Sequence, residues 1–145
     1  MGRQQGDPGN VIKMNEQVTI SILWASLVLG LLIHTAIDIV DGLYFSVGET
    51  SGEKPVAIST TAHVVYLSSM VVPFFMSFLS LKTSSKGFKT FSLVYASLLA
   101  LLNIIHFVEG SITDFTNVSR IVVLLSIVVA NLFLILELNR WENAS

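Results

Sequence analysis

The sequence predicts an all-α integral membrane protein, folded as a four-transmembrane-helix antiparallel bundle with both termini cytoplasmic. Its 145 residues are 52% hydrophobic and only 12% charged, whereas soluble domains carry roughly 25% charged residues. Four segments reach the roughly 17–25 residues that an apolar helix needs to cross a bilayer: about 18–40, 56–81, 88–108 and 118–138. Backbone polar groups in hydrocarbon must bond within their own segment, so each segment is predicted to be a helix. The short links make consecutive helices antiparallel neighbours.

Composition also removes several classes of function. The net charge of -2 gives no basis for nucleic-acid binding. The absence of cysteine excludes disulfides, thiolate metal sites and thiol redox chemistry. We expect residues 1–17 to form a polar N-terminal segment, derived in part from an expression vector, with Met14 as the natural start. Residues 18–140 then form a single four-helix transmembrane domain.

Local signals support the second and fourth predicted helices. Pro73 should kink the second helix near its middle, because proline removes one backbone hydrogen bond. The fourth helix is expected to start after a cap provided by Asn117 or Thr116. Near its other end, Glu137 and Arg140 are three residues apart and can form an ion pair on the helix surface.

The distribution of lysine and arginine predicts the orientation in the membrane. Most basic residues flank the predicted termini or lie around the link between the second and third helices: Arg3, Lys13, Lys82, Lys86, Lys89 and Arg140. The other two links hold two basic and five acidic residues. The basic residues are Lys54 and Arg120, and the acidic residues are Asp41, Glu49, Glu53, Glu109 and Asp114. Cytoplasmic loops are enriched in Lys and Arg, so both termini are predicted inside and the acidic links outside. The expected location is a plasma membrane or a bacterial inner membrane.

Five ionisable residues interrupt the apolar pattern in the predicted outer half. The first helix carries His34 and Asp38, four residues apart, and the third ends with His106 and Glu109, three residues apart. Each pair shares one helix face, and His63 lies about two turns from the outer end of the second helix. Ionisable residues are unfavourable in a bilayer and normally face the bundle interior. We therefore expect the five to line one pocket that opens outward.

Neutral imidazoles and carboxylates are the ligands of zinc and of many iron, copper and manganese sites. We therefore predict a divalent metal site formed by His34, Asp38, His63, His106 and Glu109, with zinc as the first choice. Three histidines and one carboxylate would fill all four positions of a tetrahedral zinc site. If water occupied one of the four positions, the site could support metal-dependent chemistry. The HExxH pattern of membrane metalloenzymes is absent, so whether the protein is an enzyme stays open.

Three other interpretations use the same residues. A proton or ion relay, in a transporter component or an accessory subunit, would pass protons between the histidines and carboxylates. Haem b could be held between His63 and either His34 or His106, with a quinone as partner. The histidines and carboxylates, together with Asp41 at the helix boundary, could also pair with each other or with Arg120. Their role would then be structural, as contacts that hold the helices together. The lipid bilayer is a partner in every case, and a homo-oligomer or a partner subunit stays open.

Overall fold

The computed structural model describes the backbone of residues 8–48, 60–113 and 115–144, and the side-chain surroundings of 15–40, 64–65, 67–113 and 115–144. Every regular element in these residues is an α-helix, which confirms the all-α prediction. The helices are α1 (Pro8–Gly48), α2 (Thr60–Lys82), α3 (Lys86–Thr113) and α4 (Val118–Asn143). α1, α3 and α4 extend beyond the predicted apolar segments, because a helix can continue into polar flanks that hydropathy does not count.

The surface of the described helices is suited to lipid. Three apolar stretches are long enough to cross a membrane: Asn15–Val40, Lys86–Thr113 and Val118–Asn143. The described part of α2 contains a shorter apolar stretch, Leu67–Lys82. Large apolar side chains that are more than half exposed point outward from every helix, for example Leu29, Phe75, Leu101 and Phe133. A water-soluble protein rarely exposes apolar surface so continuously, so the structure supports a membrane protein.

A close contact between helices joins α1 and α4. Buried residues recur every three or four positions on both helices: Ile20, Trp24, Leu27 and Leu31 on α1, and Leu124, Ile127, Asn131, Leu134 and Leu138 on α4. This spacing places each set on one helix face. Gly30 lies directly against α4, and a Cβ added there would come within 2.7 Å of Cγ1 of Ile127. The missing side chain therefore sets how closely the two backbones approach.

The contacts between helices define their order in the bundle. α1 packs against both α2 and α4, and α4 packs against α3, which gives the order α2–α1–α4–α3. Between α3 and α4, Asn131 Nδ2 donates to the carbonyl of Ala96 at 3.2 Å, and Leu124 lies beside Gly110. The contacts run in opposite residue order, so these two helices are antiparallel. The last turns of α3 and the first turns of α4 therefore lie at the same end of the bundle.

Polar contacts fix the opposite end. Lys89 is buried, and its Nζ donates to the carbonyl oxygen of Trp141 at 2.7 Å and lies 4.8 Å from the centre of the Trp141 ring. Thr90 Oγ1 donates to Glu142 Oε1 at 2.6 Å. A lysine that satisfies a carbonyl of the last helical turn is a favourable C-terminal contact. The start of α3 is thereby joined to the end of α4.

Two local predictions for α4 are confirmed. Asn117 precedes the helix, and its Oδ1 accepts a hydrogen bond from the backbone N–H of Arg120 at 3.1 Å, as an N-cap does. Arg140 Nη1 donates to Glu137 Oε1 at 2.7 Å. The cap fixes the first turn of α4, and this matters because the side chain of Arg120 enters the site described next.

Candidate functional site

Two of the three histidines meet between α1 and α3. His34 of α1 and His106 of α3 are 72 positions apart, and their Nε2 atoms are 2.8 Å from each other. The ring centres are 5.0 Å apart and the ring planes are inclined by 60°. His34 is 4% exposed, whereas His106 is exposed. One ring must donate a proton and the other must accept it, so the two imidazoles hold different tautomers at this contact.

Asp38 extends this contact toward α4. Its Oδ2 lies 3.5 Å from Nε2 of His34, one turn earlier on α1, and its Oδ1 lies 3.6 Å from Nε of Arg120 on α4. Both separations are longer than a good hydrogen bond, and the carboxylate is 43% exposed. We call His34, Asp38, His106 and Arg120 the polar cluster. It connects three helices at one end of the bundle.

Arg120 reaches the polar cluster beside Gly110 of α3. A Cβ added at Gly110 would lie 3.9 Å from Nε of Arg120. The arginine side chain is 25% exposed, and its Nε is buried without a hydrogen-bond partner among the described residues. The sequence predicted Arg120 only as a pairing partner that joins helices, not as a site residue. Its position in the first turn of a predicted helix, within an otherwise acidic link, was the available signal.

Glu109 lies outside the polar cluster. Its side chain is exposed and borders a shallow depression of about 450 Å³ whose other lining includes Ile105 and Ile112. Within the described residues no ion pair or hydrogen bond joins the Glu109 carboxylate to His106 or Arg120. Consecutive helical residues are about 100° apart, and Gly110 is buried against α4, so its neighbour Glu109 is turned away from that helix. The structure brings together His34, His106 and Asp38, but not Glu109.

The remaining predicted residue, His63, lies outside the described side chains. Its backbone belongs to the first turn of α2. The side chain of Asp41, near the end of α1, is outside them as well. One turn below His106, Asn103 is 9% exposed, and its Nδ2 has no hydrogen-bond partner within the described residues. The same holds for Nδ1 of His34. Both atoms are buried and hold hydrogen-bonding capacity that the described residues do not use.

The charges and distances of the polar cluster limit its chemistry. With neutral imidazoles, the formal charges of Asp38 and Arg120 cancel. Two nitrogens bound to one tetrahedral zinc ion lie about 3.3 Å apart, given Zn–N bonds of roughly 2.0–2.1 Å, so the Nε2 atoms of His34 and His106, 2.8 Å apart, would have to separate by about 0.5 Å to hold one ion. Among the described residues no set of three His, Cys, Asp or Glu side chains is placed to hold a metal ion. The described residues thus supply two imidazole nitrogens and one carboxylate that Arg120 partly neutralises.

Comparison with known proteins adds no function to this geometry. No protein-family model, curated protein or solved structure matches the chain.

Proposed function

We propose that this protein is a small four-span membrane protein whose polar cluster faces outward and binds a divalent metal ion. The observation that carries the proposal is the convergence of two imidazole nitrogens, from helices distant in sequence, to within 2.8 Å of each other. Imidazole is a ligand for zinc, copper and iron. Zinc is the first choice because it accepts a low coordination number of nitrogen and oxygen ligands. Copper, iron and manganese are the alternatives.

The proposed orientation rests on charge. The polar cluster lies at the end of the bundle opposite the contact between Lys89 and Trp141. Lys82 and Lys86 flank the short link between α2 and α3, at that opposite end. Basic residues mark the cytoplasmic side and tryptophan favours the membrane interface. Both termini are therefore assigned to the cytoplasm and the polar cluster to the outer side. The apolar residues of α2 supply the fourth span.

His34 and His106 would hold the ion through their Nε2 atoms once the ring that donates in the present contact carries its proton on Nδ1 instead, and His63 and Asp38 are the proposed further ligands. Coordination requires neutral imidazoles, so protons compete with the metal and occupancy should fall as the pH drops through the histidine range. An ion with a position left for water could activate that water for hydrolysis. Binding of the ion would also be the first step of its transport across the membrane. An enzyme and a transporter would therefore both require this binding site.

Elemental analysis and an absorption spectrum of the purified protein test the proposal directly. We expect about one equivalent of zinc, copper, iron or manganese per chain, and a chelator should lower the melting temperature because it removes a ligand of the folded state. His34→Ala and His106→Ala should abolish this metal-dependent shift. Glu109→Gln is the matched control, since Glu109 also belongs to α3 but lies outside the polar cluster, and the shift should persist. Metal binding would be refuted if chelator left the melting temperature unchanged and the purified protein contained no stoichiometric metal. An absorption spectrum typical of haem would show that the site binds haem b and not a free metal ion.

A proton or ion relay is the second candidate, because polar side chains are buried along the inside of α3 and α4. Ser92, Asn103 and Asn131 are at most 9% exposed, and they lie on the path from the histidine pair toward the basic end. In metal-free liposomes, a relay predicts proton or cation flux that His34→Ala abolishes. Flux in the absence of divalent metal would favour the relay over a metal site.

A further inference from the structure

A seam runs between α2 and α3, and one hydrogen bond crosses it. Within the described residues α2 packs closely against α1 alone, whereas α3 packs against α4. Tyr95 of α3 spans the seam, where its Oη donates to the carbonyl oxygen of Ser68 of α2 at 3.1 Å. We propose that residues 60–72, the N-terminal half of α2, form a gate that is hinged at Pro73 and held closed by this hydrogen bond. The gate goes beyond the proposed function and does not depend on a metal ion.

The two halves of α2 differ in how deeply their side chains are buried. After Pro73, Met76 and Ser80 are 2% and 0% exposed, and their spacing places them on one helix face. Before Pro73, Val64 and Leu67 are 60% and 57% exposed, and none of the described side chains of residues 60–72 is buried. The C-terminal half of α2 is therefore anchored in the bundle, while the N-terminal half is attached more lightly.

Pro73 lies at the boundary between these halves and supplies the hinge. It is fully buried and has no N–H to donate, so the helix backbone lacks one internal hydrogen bond at this point. Sharp bends in helices occur mostly at such prolines. Residues 60–72 extend roughly 20 Å from Pro73 at 1.5 Å per residue, so a rotation of about 15° would move the start of α2 by about 5 Å.

The seam follows the side of α3 that leads to the histidine pair. Tyr95 and His106 are eleven residues apart, which is about three turns, so their directions around α3 differ by only about 20°. Both contact α1: the ring centre of Tyr95 lies 6.1 Å from that of Trp24, and His106 meets His34. Movement of the gate away from α3 would therefore open a lateral path from the lipid toward the polar cluster.

Distances between pairs of spin labels, measured on the full-length chain in lipid nanodiscs, test the gate, and the absence of native cysteine makes the labelling specific. The pair Val64→Cys and Leu98→Cys, at two positions more than half exposed, reports on the gate. The pair Phe75→Cys and Gly87→Cys reports on the seam beyond Pro73, and Gly87 has room for a side chain.

Tyr95→Phe removes the hydroxyl group and keeps the ring. It should lengthen the mean distance of the first pair by about 5 Å and broaden its distribution, and it should leave the second pair unchanged. Ser97→Ala is the matched control, because it removes a hydroxyl group of α3 that bonds to the Leu93 carbonyl of the same helix. It should change neither distance.

Pro73→Ala tests the hinge. Added to Tyr95→Phe, it should return the first distance toward the wild-type value, because a continuous helix resists bending. The inference is wrong if Tyr95→Phe leaves the first distance unchanged, since the hydrogen bond would then hold nothing closed. It is also wrong if Tyr95→Phe lengthens both distances equally, because α2 would then move as a rigid rod. This second comparison tests the hinge even if the Pro73→Ala variant does not fold.

Discussion

Gly30→Ala should destabilise the bundle because the contact between α1 and α4 has no room for a methyl group. The added Cβ would lie 2.7 Å from Cγ1 of Ile127, about 0.7 Å short of the 3.4 Å at which ordinary contact begins. Cγ1 lies within the isoleucine side chain and cannot swing away as a terminal methyl group could. The two helices must therefore separate or Ile127 must leave its rotamer.

Two effects set the expected magnitude. Overpacking a tight interior usually costs about 1–3 kcal/mol. Alanine is about 1 kcal/mol more favourable than glycine inside a helix, and this partly offsets the clash. The net loss of unfolding free energy for Gly30→Ala should thus be about 0–2 kcal/mol, with an expected value near 1 kcal/mol.

Two other helical glycines provide a graded comparison. At Gly87, near the start of α3, an added Cβ meets no atom within 4 Å, so Gly87→Ala should be neutral or slightly stabilising. At Gly110 the nearest atom is Cδ1 of Leu124 at 3.1 Å, the end of a flexible side chain, so Gly110→Ala should have an intermediate effect. Reversible unfolding in mixed detergent micelles, followed by helical circular dichroism, measures all three.

The clash can also be tested by removing its other partner. Ile127→Ala alone leaves a cavity and should destabilise by about 2–5 kcal/mol. Adding Gly30→Ala to this background should cost nothing, because Cγ1 is gone and the new methyl group fills part of the cavity. The reasoning is wrong if Gly30→Ala is as well tolerated as Gly87→Ala, or if the two substitutions at positions 30 and 127 are additive.

Three more predictions follow from other parts of the structure. A cysteine introduced at Ser84 should react with an impermeant reagent only after the membrane is opened, whereas one at Ser51 should react at once, and the reverse pattern would place the polar cluster on the cytoplasmic side. Lys89→Met should lower the unfolding free energy by about 1.5–3 kcal/mol, because it removes a buried charge-assisted hydrogen bond to Trp141; an unchanged denaturant midpoint would mean that this contact contributes nothing. Asn131→Leu should change the unfolding free energy by less than about 1.5 kcal/mol in the same assay, because loss of the hydrogen bond from Nδ2 to Ala96 is offset by removal of the buried Oδ1, which has no hydrogen-bond partner among the described residues, and a loss above about 2 kcal/mol would point to an additional partner.

Hydropathy and periodicity were sufficient to predict much of this fold. Apolar length gave the helices, and the four-residue spacing placed His34 and Asp38 on one face of α1, where the structure finds them 3.5 Å apart. Counting residues from the ends of the predicted spans also placed His34 and His106 at similar depths. These properties depend on the sequence of one helix at a time, so they can be inferred without knowing how helices pack.

The rotation of each helix about its axis could not be inferred in this way. His106 and Glu109 are three residues apart and differ by about 60° around α3. Their spacing therefore allows one of the two side chains to face the bundle while the other faces lipid. The contact of Gly110 with Leu124 settles the choice: it turns α3 so that His106 meets His34, while Glu109 lies beside Ile105 and Ile112.

The packing of the helices explains why Arg120 escaped prediction as a site residue. An arginine at the edge of a membrane span usually extends into water or toward headgroups, but α4 packs against α1, and Nε of Arg120 lies 3.6 Å from Asp38, beside Gly110 of α3. A Cβ added at Gly110 would still lie 3.9 Å from that Nε atom, so Gly110→Ala should leave the contact in place, whereas a larger side chain should displace the arginine. Gly110→Leu should therefore lower the unfolding free energy more than Gly110→Ala in the detergent assay, and equal stability of the two variants would contradict this reasoning.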